Sequence, residues 1–207
     1  MTTDYIPEEI FGRLLECLMP ENALVLRLIL ATGMRITDAL SIQRDTFFGT
    51  AKAGKPLTYL YREKKTGKLR NVSVPPDLLC QLEDRPDRES PWLFPGRDPE
   101  KHRSRQAVWK DLHRTARLWR VNGERLKRTI GTHTARKIYA VKLFHQQEAL
   151  GLAEPLEFVR VDMNHKDPTV TYLYALADKI SERKRPKGEL TNSGKSTRLK
   201  SRGPRSS

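Results

Sequence analysis

Hydrophobic residues recur at helical spacing along most of the chain, which predicts a mainly helical fold. Pro7, followed by two acidic residues, begins the first predicted helix, which ends before Pro20. A second helix from Glu21 to Thr32 is predicted to end at Gly33, and Arg35 begins a short third helix. The pattern therefore puts Arg35 on a tight corner between two helices.

Alternating apolar and polar positions predict one β-hairpin in the first half of the chain. Leu57–Tyr61 and Asn71–Val74 are the predicted strands, and the turn between them, Lys64–Lys68, contains Gly67. We therefore expect Lys65 to lie near the tip of this hairpin, where Lys64 and Lys68 are alternatives to it.

Helical spacing returns after the hairpin. A helix is predicted around Leu78 to Leu82, and a charged, proline-rich connection follows it. Within that connection, Trp92–Leu93–Phe94 is predicted to tuck into the core. Ser104 is predicted to cap the next helix, which ends before Asn122. Its predicted inward positions are Val108, Leu112, Thr115 and Leu118.

Thr132 is predicted to cap a long helix that reaches about Leu150. His133 and Arg136 share one face of this helix, because residues at i and i+3 are neighbours on a helix surface. Both side chains are therefore able to reach one phosphate.

The last predicted helix carries two tyrosines. It follows a break at Asn164–Pro168 that contains His165. Tyr172 and Tyr174 are two residues apart, about 200° around a helix, so they cannot face the same phosphate.

The charge of the chain favours a polyanionic partner. Among 207 residues, 39 Lys and Arg outnumber 25 Asp and Glu, which gives a formal net charge of +14. Nucleic acid is the expected partner. A membrane is disfavoured, because no apolar run reaches transmembrane length and no basic amphipathic helix dominates.

Composition divides the chain into a folded part and a tail. From Glu182 onward hydrophobic residues almost disappear, which predicts a basic disordered tail over residues 182–207. Its nine Lys and Arg, against two Glu, carry about half of the net charge of +14. We expect the tail to add phosphate contacts that do not depend on base sequence.

The chain has only two cysteines, Cys17 and Cys80, and both lie in apolar helical patterns. They are predicted to be small core residues of a protein in a reducing compartment, which suggests a cytoplasmic location. The sequence contains no metal-ligand pattern.

Five separated basic residues suggest a site that acts on a phosphodiester: Arg35, Lys65, His133, Arg136 and His165. Attack on a phosphate builds negative charge on its oxygens, and fixed cationic donors stabilise that charge. Arginine suits a clamp because it donates two parallel hydrogen bonds and stays protonated, whereas the pKa of a lysine is tunable. A nearby tyrosine is a nucleophile once cationic neighbours stabilise its phenolate.

Four segments resemble those of the tyrosine recombinase, or phage integrase, family, over roughly Pro7 to Ser181. They are Ala31–Leu40 with Arg35, Lys65–Lys68 before Val72–Pro75, Thr132–Arg136, and Asn164–His165 with Tyr174 nine residues later. All four occur in the order typical of the family. The resemblance implies a mainly α fold of the α+β class, a recombinase-like catalytic domain with a small antiparallel sheet over residues 1–181.

The resemblance also implies a mechanism that needs no metal or nucleotide cofactor. Tyr174 would attack a DNA phosphate held by Arg35 and Arg136, forming a 3′-phosphotyrosyl link and freeing a 5′-hydroxyl. The remaining roles are implied in the same way: Lys65 would protonate the leaving oxygen, His133 would move the tyrosine proton, His165 would contact the phosphate, and Asp38 would orient Arg35.

The sequence departs from the family pattern in three places. Asn164 stands where the family usually has glycine, and the stretch between Arg136 and His165 is longer than typical. The catalytic pattern also begins almost at Met1, so we expect either a fragment or remnant, or a catalytic domain without an N-terminal core-binding domain that relies on a partner or on its basic tail. We therefore expect double-stranded DNA, a multimer on that DNA, and a core-binding or accessory protein to be the partners.

The sequence leaves three functions open. The first is site-specific recombination or integration. The second is nicking and resealing by an enzyme similar to a type IB topoisomerase. The third is DNA binding by an integrase remnant without catalysis.

Overall fold

A computed structural model describes residues 3–49, 55–84, 89–121, 124–125 and 128–183. The described residues form ten α-helices and two antiparallel hairpins. The helices are α1 (Glu8–Glu16), α2 (Pro20–Thr32), α3 (Ile36–Leu40), α4 (Arg44–Phe48), α5 (Pro76–Glu83), α6 (Arg105–Leu118), α7 (Thr132–Ala149), α8 (Pro155–Asp162), α9 (Pro168–Ala175) and α10 (Ala177–Arg183). The strands are β1 (Leu57–Arg62), β2 (Leu69–Val74), β3 (Arg120–Val121) and β4 (Glu124–Arg125).

The predicted hairpin is present, and its strands are slightly longer than expected. β1 pairs with β2 in antiparallel register from Leu57 opposite Val74 to Arg62 opposite Leu69. Burial alternates along both strands, as the alternating sequence pattern requires for a sheet with one face on the core. The predicted fold class, mainly α with a small antiparallel sheet, is confirmed.

Helix α2 forms the centre of the larger core. Its residues Val25, Leu26, Leu28 and Ile29 are fully buried and pack with side chains from α1, α3 and both long strands. Leu93 and Phe94 are also fully buried, so two residues of the predicted apolar trio enter the core, whereas Trp92 is only partly buried. Because core side chains surround α2, the corner at the end of this helix, which carries Arg35, packs against the core.

A second, smaller core joins α7, α8 and α9. Its buried members are Ala140, Phe144, Val159, Met163 and Ala175. Because α8 and α9 pack on α7 through these side chains, the segments that carry His165 and Tyr174 lie against the helix that carries His133 and Arg136.

Several local predictions were wrong for identifiable reasons. Pro20 was predicted only to end the first helix, but it is the first residue of α2. At this position the missing N–H of proline has no cost. Thr132 is inside α7, and Gly131 precedes the helix with its N–H donated to Thr134 Oγ1 at 3.2 Å. Leu118, predicted to point inward, is 74% exposed at the end of α6.

Three short elements were not predicted, and the predicted burial of the two cysteines was wrong. Helix α4 and the hairpin of β3 and β4 were not predicted, because segments this short carry too few residues for a periodic signal. Cys17 and Cys80, predicted to be core residues, are both exposed.

The last described helix, α10, includes Glu182 and Arg183, which the sequence assigned to the tail. Residues 184–207 lie outside the described residues, so the rest of the tail prediction is untested. Within the described ranges, no helix has both the length and the apolar character needed to cross a membrane.

Candidate active site

Five of the six predicted site residues lie together near the carboxyl end of α2, and the sixth, Lys65, is on a hairpin turn that contacts this region through Glu63 and Lys64. Arg35 immediately precedes α3, and Lys65 lies exposed on the turn between β1 and β2. His133 and Arg136 lie in the first turns of α7. The two remaining residues follow on the neighbouring helices, with His165 between α8 and α9 and Tyr174 within α9.

Arg136 is buried and its guanidinium is fixed by backbone carbonyls. Its Nη1 donates to the Gly33 carbonyl oxygen, and its Nη2 donates to the Met163 carbonyl oxygen at 2.9 Å. Burial, followed by the charges of Arg70 and Arg35, lowers the pKa of Arg136 to about 10, so it remains protonated at neutral pH. The side chain is therefore a rigid cation set between α2 and α8.

His165 is neutral and its tautomer follows from its neighbours. Its Nε2 lies 3.4 Å from Arg136 Nη2, and its Nδ1 lies 3.1 Å from Thr171 Oγ1. A guanidinium only donates, which assigns the free lone pair to Nε2 and the proton to Nδ1. Burial and then the charge of Arg136 lower the pKa of His165 to about 4.

The residue before His165 has an unusual backbone conformation. Asn164 has φ 53°, in the left-handed region that favours glycine. Asparagine tolerates this conformation better than most residues, which explains how it replaces the glycine expected from the family pattern.

Tyr174 is partly buried between two histidines. Its hydroxyl lies 3.1 Å from His133 Nδ1, and its ring meets the His165 ring edge to face at 5.4 Å between centroids. Lys137 Nζ lies 5.7 Å from the centre of the Tyr174 ring. By contrast, Tyr172 is 51% exposed.

Burial is the largest influence on the pKa of Tyr174 and on the pKa of His133. It raises the pKa of Tyr174, although the charges of Arg136 and Arg35 act in the opposite direction. Burial and the charge of Arg136 lower the pKa of His133. In the protein without DNA, a neutral phenol therefore faces a neutral imidazole. The cationic neighbours expected to stabilise a phenolate are present, but burial outweighs them.

Arg35 is paired with an acid that the sequence did not single out. Its Nη1 lies 2.5 Å from Glu63 Oε1, and the Glu63 side chain is completely buried. The signal was present in the sequence, because residue 63 continues the inward alternation of Leu57, Tyr59 and Tyr61 along β1. An acid at an inward position next to the core requires a cationic partner.

Asp38, expected to orient Arg35, also contacts the turn of the hairpin. Its Oδ1 accepts a hydrogen bond from the Lys64 backbone N–H at 3.0 Å. Burial raises the pKa of Asp38, and this bond opposes the rise. The carboxylate closest to the Arg35 guanidinium is thus Glu63, and Asp38 holds the segment that carries Lys65.

Arg70 is a second residue that the sequence did not identify. From the middle of the site it donates to the Gly33 carbonyl oxygen at 3.0 Å, to the Thr32 carbonyl oxygen at 2.8 Å and to Asp162 Oδ2 at 2.9 Å. Tyr139 also donates to Asp162 Oδ2, at 2.9 Å. This network adjoins Arg136, which donates to the same Gly33 carbonyl oxygen, and it joins β2, α2, α7 and α8.

The site combines the guanidiniums of Arg35 and Arg136 with two histidines and a tyrosine hydroxyl. Among the described residues, no group of three or more His, Cys, Asp and Glu side chains is arranged to hold a metal ion. A helical fold with these side chains at the junction of α2, α7, α8 and α9 defines the class of tyrosine recombinase catalytic domains. The phage integrase family model matches residues 7–180, and the chain belongs to that family.

Solved structures with this fold include DNA complexes. The XerH site-specific recombinase bound to palindromic difH substrate, in a post-cleavage complex, is 20% identical with a TM-score of 0.61, over 88% of this chain and 52% of XerH. The catalytic domain of bacteriophage HP1 integrase is 20% identical with a TM-score of 0.52, over 85% of this chain and 89% of that domain. A lambda integrase dimer bound to a COC′ core site is 14% identical with a TM-score of 0.58, over 91% of this chain and 63% of that chain.

These likenesses establish the fold. The chain spans about half the length of the XerH recombinase that it matches, at 52%. No curated protein sequence matches the chain significantly.

Proposed function

We propose that this protein is a site-specific DNA recombinase that cleaves and rejoins strands through a 3′-phosphotyrosyl link at Tyr174. The observation that carries the proposal is the position of the Tyr174 hydroxyl, 3.1 Å from His133 Nδ1, in the field of two arginines. Membership of the phage integrase family supports the same chemistry.

Arg35 and Arg136 would hold the two non-bridging oxygens of the scissile phosphate. Their charge offsets the negative charge that develops as phosphorus becomes five-coordinate. The carbonyl oxygens of Gly33 and Met163 hold Arg136 in one orientation, so little reorganisation is needed when DNA binds. His165 would complete the phosphate contacts by donating from Nε2, which requires the tautomer opposite to the one in the protein without DNA.

The proton transfers follow from the neutral state of Tyr174 and His133. As the tyrosine oxygen bonds to phosphorus, its proton passes to His133 Nδ1, which is free to accept it because the pKa of this histidine is lowered. The bond from phosphorus to the 5′-oxygen breaks, and that oxygen takes a proton from Lys65. Attack by the 5′-hydroxyl of another strand reverses both transfers and releases Tyr174.

We infer that the partner is double-stranded DNA and that several copies act together on it. The net charge of +14 supports a polyanionic partner. The XerH and lambda integrase structures contain DNA sites, and the latter contains a dimer. Residues 1–181 would form the catalytic unit and residues 182–207 a basic tail that adds phosphate contacts, together with a core-binding or accessory protein. The reaction would take place in the cytoplasm, where such DNA is accessible.

The test is a nicked suicide DNA that contains candidate sites from the genetic neighbourhood of the protein. Cleavage next to the nick releases a short fragment, so the covalent adduct accumulates and is visible on a denaturing gel. The wild type and the Tyr172→Phe variant should form the adduct, and the Tyr174→Phe variant should not.

The alternative functions give different results. An adduct that persists in Tyr174→Phe contradicts the assignment of the nucleophile. Salt-sensitive binding with no adduct on any candidate site indicates a missing core-binding partner or a module that only binds DNA. Relaxation of supercoiled plasmids without a specific site indicates a nicking and resealing enzyme.

A further inference from the structure

Glu63 is a fully buried acid at the centre of the site, and the proposed cleavage chemistry gives it no role. Its exposed fraction is 0%, although it stands only two residues before the exposed Lys65. Burying a carboxylate without partners is costly, so its contacts reveal what the position requires.

The two carboxylate oxygens face different segments. Oε1 lies 2.5 Å from Arg35 Nη1, and Oε2 accepts a hydrogen bond from Thr66 Oγ1 at 2.6 Å. One oxygen thus holds the arginine of the phosphate clamp, and the other holds the turn of the hairpin.

The backbone of Glu63 closes the same turn. Its N–H donates to the Lys68 carbonyl oxygen at 2.9 Å, and its carbonyl oxygen accepts from the Gly67 N–H at 2.9 Å. Lys65 lies inside the loop that these bonds close. The position of the lysine is therefore coupled to the position of the Glu63 side chain.

The charge of Glu63 also interacts with Arg136, the second arginine of the phosphate clamp. Burial alone would raise the pKa of this acid, but the bonds from Arg35 and Thr66 and the charge of Arg136 hold it below its ordinary value. An ionised Glu63 offsets the repulsion between Arg35 and Arg136, which would otherwise be held close together as like charges.

We propose that Glu63 is a positioning residue that docks the turn carrying Lys65 onto Arg35, so that the phosphate clamp and the proton donor are held as one unit. The inference rests on the proposed cleavage function for its catalytic consequence, but the docking itself is a property of the protein without DNA.

The substitution Glu63→Gln tests the docking because an amide has one acceptor oxygen. With its oxygen toward Arg35, a glutamine loses the negative charge that pairs with the guanidinium, and its NH₂ group can only donate to the Thr66 hydroxyl, which reverses that hydrogen bond. Thr66→Val is the milder variant, since it removes the bond to Oε2 and leaves the ion pair with Arg35 intact.

The first measurement is amide hydrogen exchange of the full chain without DNA. In Glu63→Gln we expect exchange at Lys64, Gly67 and Lys68 to become roughly tenfold faster, while amides in the middle of β1 and β2 keep their protection. Unchanged exchange at these three amides would overturn the docking, whatever the protein does to DNA.

The second measurement is single-turnover cleavage of two suicide DNAs. One has the normal scissile phosphate, and in the other sulphur replaces the bridging 5′-oxygen. A thiolate leaves without being protonated, so a defect in the proton donor disappears on the sulphur substrate, whereas a defect in the clamp or the fold remains.

With the normal substrate, Glu63→Gln should cleave about 10- to 100-fold more slowly. On the sulphur substrate the part of that loss that comes from Lys65 should vanish, as it should for Lys65→Ala, whereas the part that comes from Arg35 should remain. In a Lys65→Ala background the Glu63→Gln change should add only the Arg35 part, because Glu63 and Lys65 act through one protonation step. Equal losses on both substrates would overturn the link to Lys65.

The control is Asp111→Asn, which removes another buried acid at the opposite end of α2. Asp111 accepts from the Met19 N–H at 2.9 Å and from Asn22 Nδ2 at 2.7 Å. This variant should lose thermal stability and keep the wild-type ratio of rates on the two substrates. If the wild type cleaves neither DNA, the proposed function fails, and the exchange experiment still decides the docking.

Discussion

Arg70 and Arg136 donate hydrogen bonds to the same acceptor, the carbonyl oxygen of Gly33. Two buried guanidiniums converge there because the carbonyl groups at the end of α2 have no partner within the helix. Asp162 Oδ2, 2.9 Å from Arg70 Nη2, neutralises one of the two charges. The end of α2 is therefore a structural anchor for the residue that would clamp the phosphate.

This relationship predicts that Arg70→Met destabilises the protein strongly. Methionine fills a similar volume but cannot donate to Gly33 and Thr32, and it leaves Asp162 without its cation. Breaking a buried pair on one side costs about 3–5 kcal/mol, and the partial exposure of Asp162 places the expected loss near the lower end, about 3 kcal/mol. Urea denaturation at neutral pH measures it.

The matched control for that variant is Lys142→Met. Lys142 is also a cation paired with a carboxylate, Glu8, at 3.0 Å, but both side chains of this pair are exposed. Its loss should leave the denaturation midpoint nearly unchanged. Equal midpoints for the two variants would mean that the network behind Arg136 contributes nothing special to stability.

Gly33 should not tolerate a side chain. It ends α2 with φ 64°, and a Cβ there would lie 2.3 Å from Tyr139 Cδ1. Gly33→Ala should therefore cost about 1 kcal/mol for the backbone and about 1–3 kcal/mol more for displacing the Tyr139 ring. Thermal unfolding of the variant measures the sum.

Gly151→Ala separates the two contributions. Gly151 has nearly the same backbone conformation, φ 71°, and no neighbouring atom lies within 4 Å of the position that a Cβ would occupy. Its substitution should cost the backbone contribution alone, about 1 kcal/mol. If Gly33→Ala is no worse than Gly151→Ala, the packing of Tyr139 against the α2 corner is not rigid.

Much of the fold was predictable because its signals are local. Helical spacing identified the helices that carry His133, Arg136 and Tyr174, and alternation identified the hairpin that carries Lys65. The roles assigned to the site residues remain predictions, since a fold does not test them.

The supporting residues were not predictable in the same way. Glu63 and Arg70 occupy inward positions of the hairpin formed by β1 and β2, and alternation alone marks them as buried. Their partners, however, lie far away along the chain: Arg35 for Glu63, and Asp162 for Arg70. Which distant charge meets a buried charge depends on tertiary packing, and periodicity carries no information about it.

The contact between α7 and α10 should weaken as the pH rises. His145 Nε2 lies 2.7 Å from Asp178 Oδ2, and its Nδ1 lies 2.9 Å from Glu148 Oε2. The bond to Asp178, followed by the bond to Glu148, raises the pKa of His145 above its ordinary value of 6.5. The stabilisation is therefore complete below pH 6.5 and is lost as the pH rises through the higher pKa of the folded state.

Hydrogen exchange of the α10 amides, corrected for the intrinsic rate at each pH, measures this loss. Protection should fall between slightly acidic and slightly alkaline pH in the wild type, and the fall should be absent in His145→Gln. Protection that rises with pH would contradict the sign of the shift.

The rate of DNA cleavage should depend on pH through His133. This histidine lies 3.1 Å from the Tyr174 hydroxyl and can accept the phenol proton only while it is neutral. Burial and the charge of Arg136 lower its pKa below 6.5, so the single-turnover rate should rise on the acid side of that value and be level at neutral pH. His133→Gln should be slower and should lose this rise, because an amide does not titrate in the range.

Circular dichroism at each pH controls for unfolding. A wild-type rate that still climbs steeply above neutral pH would mean that loss of the Tyr174 proton to solvent, and not transfer to His133, limits the attack.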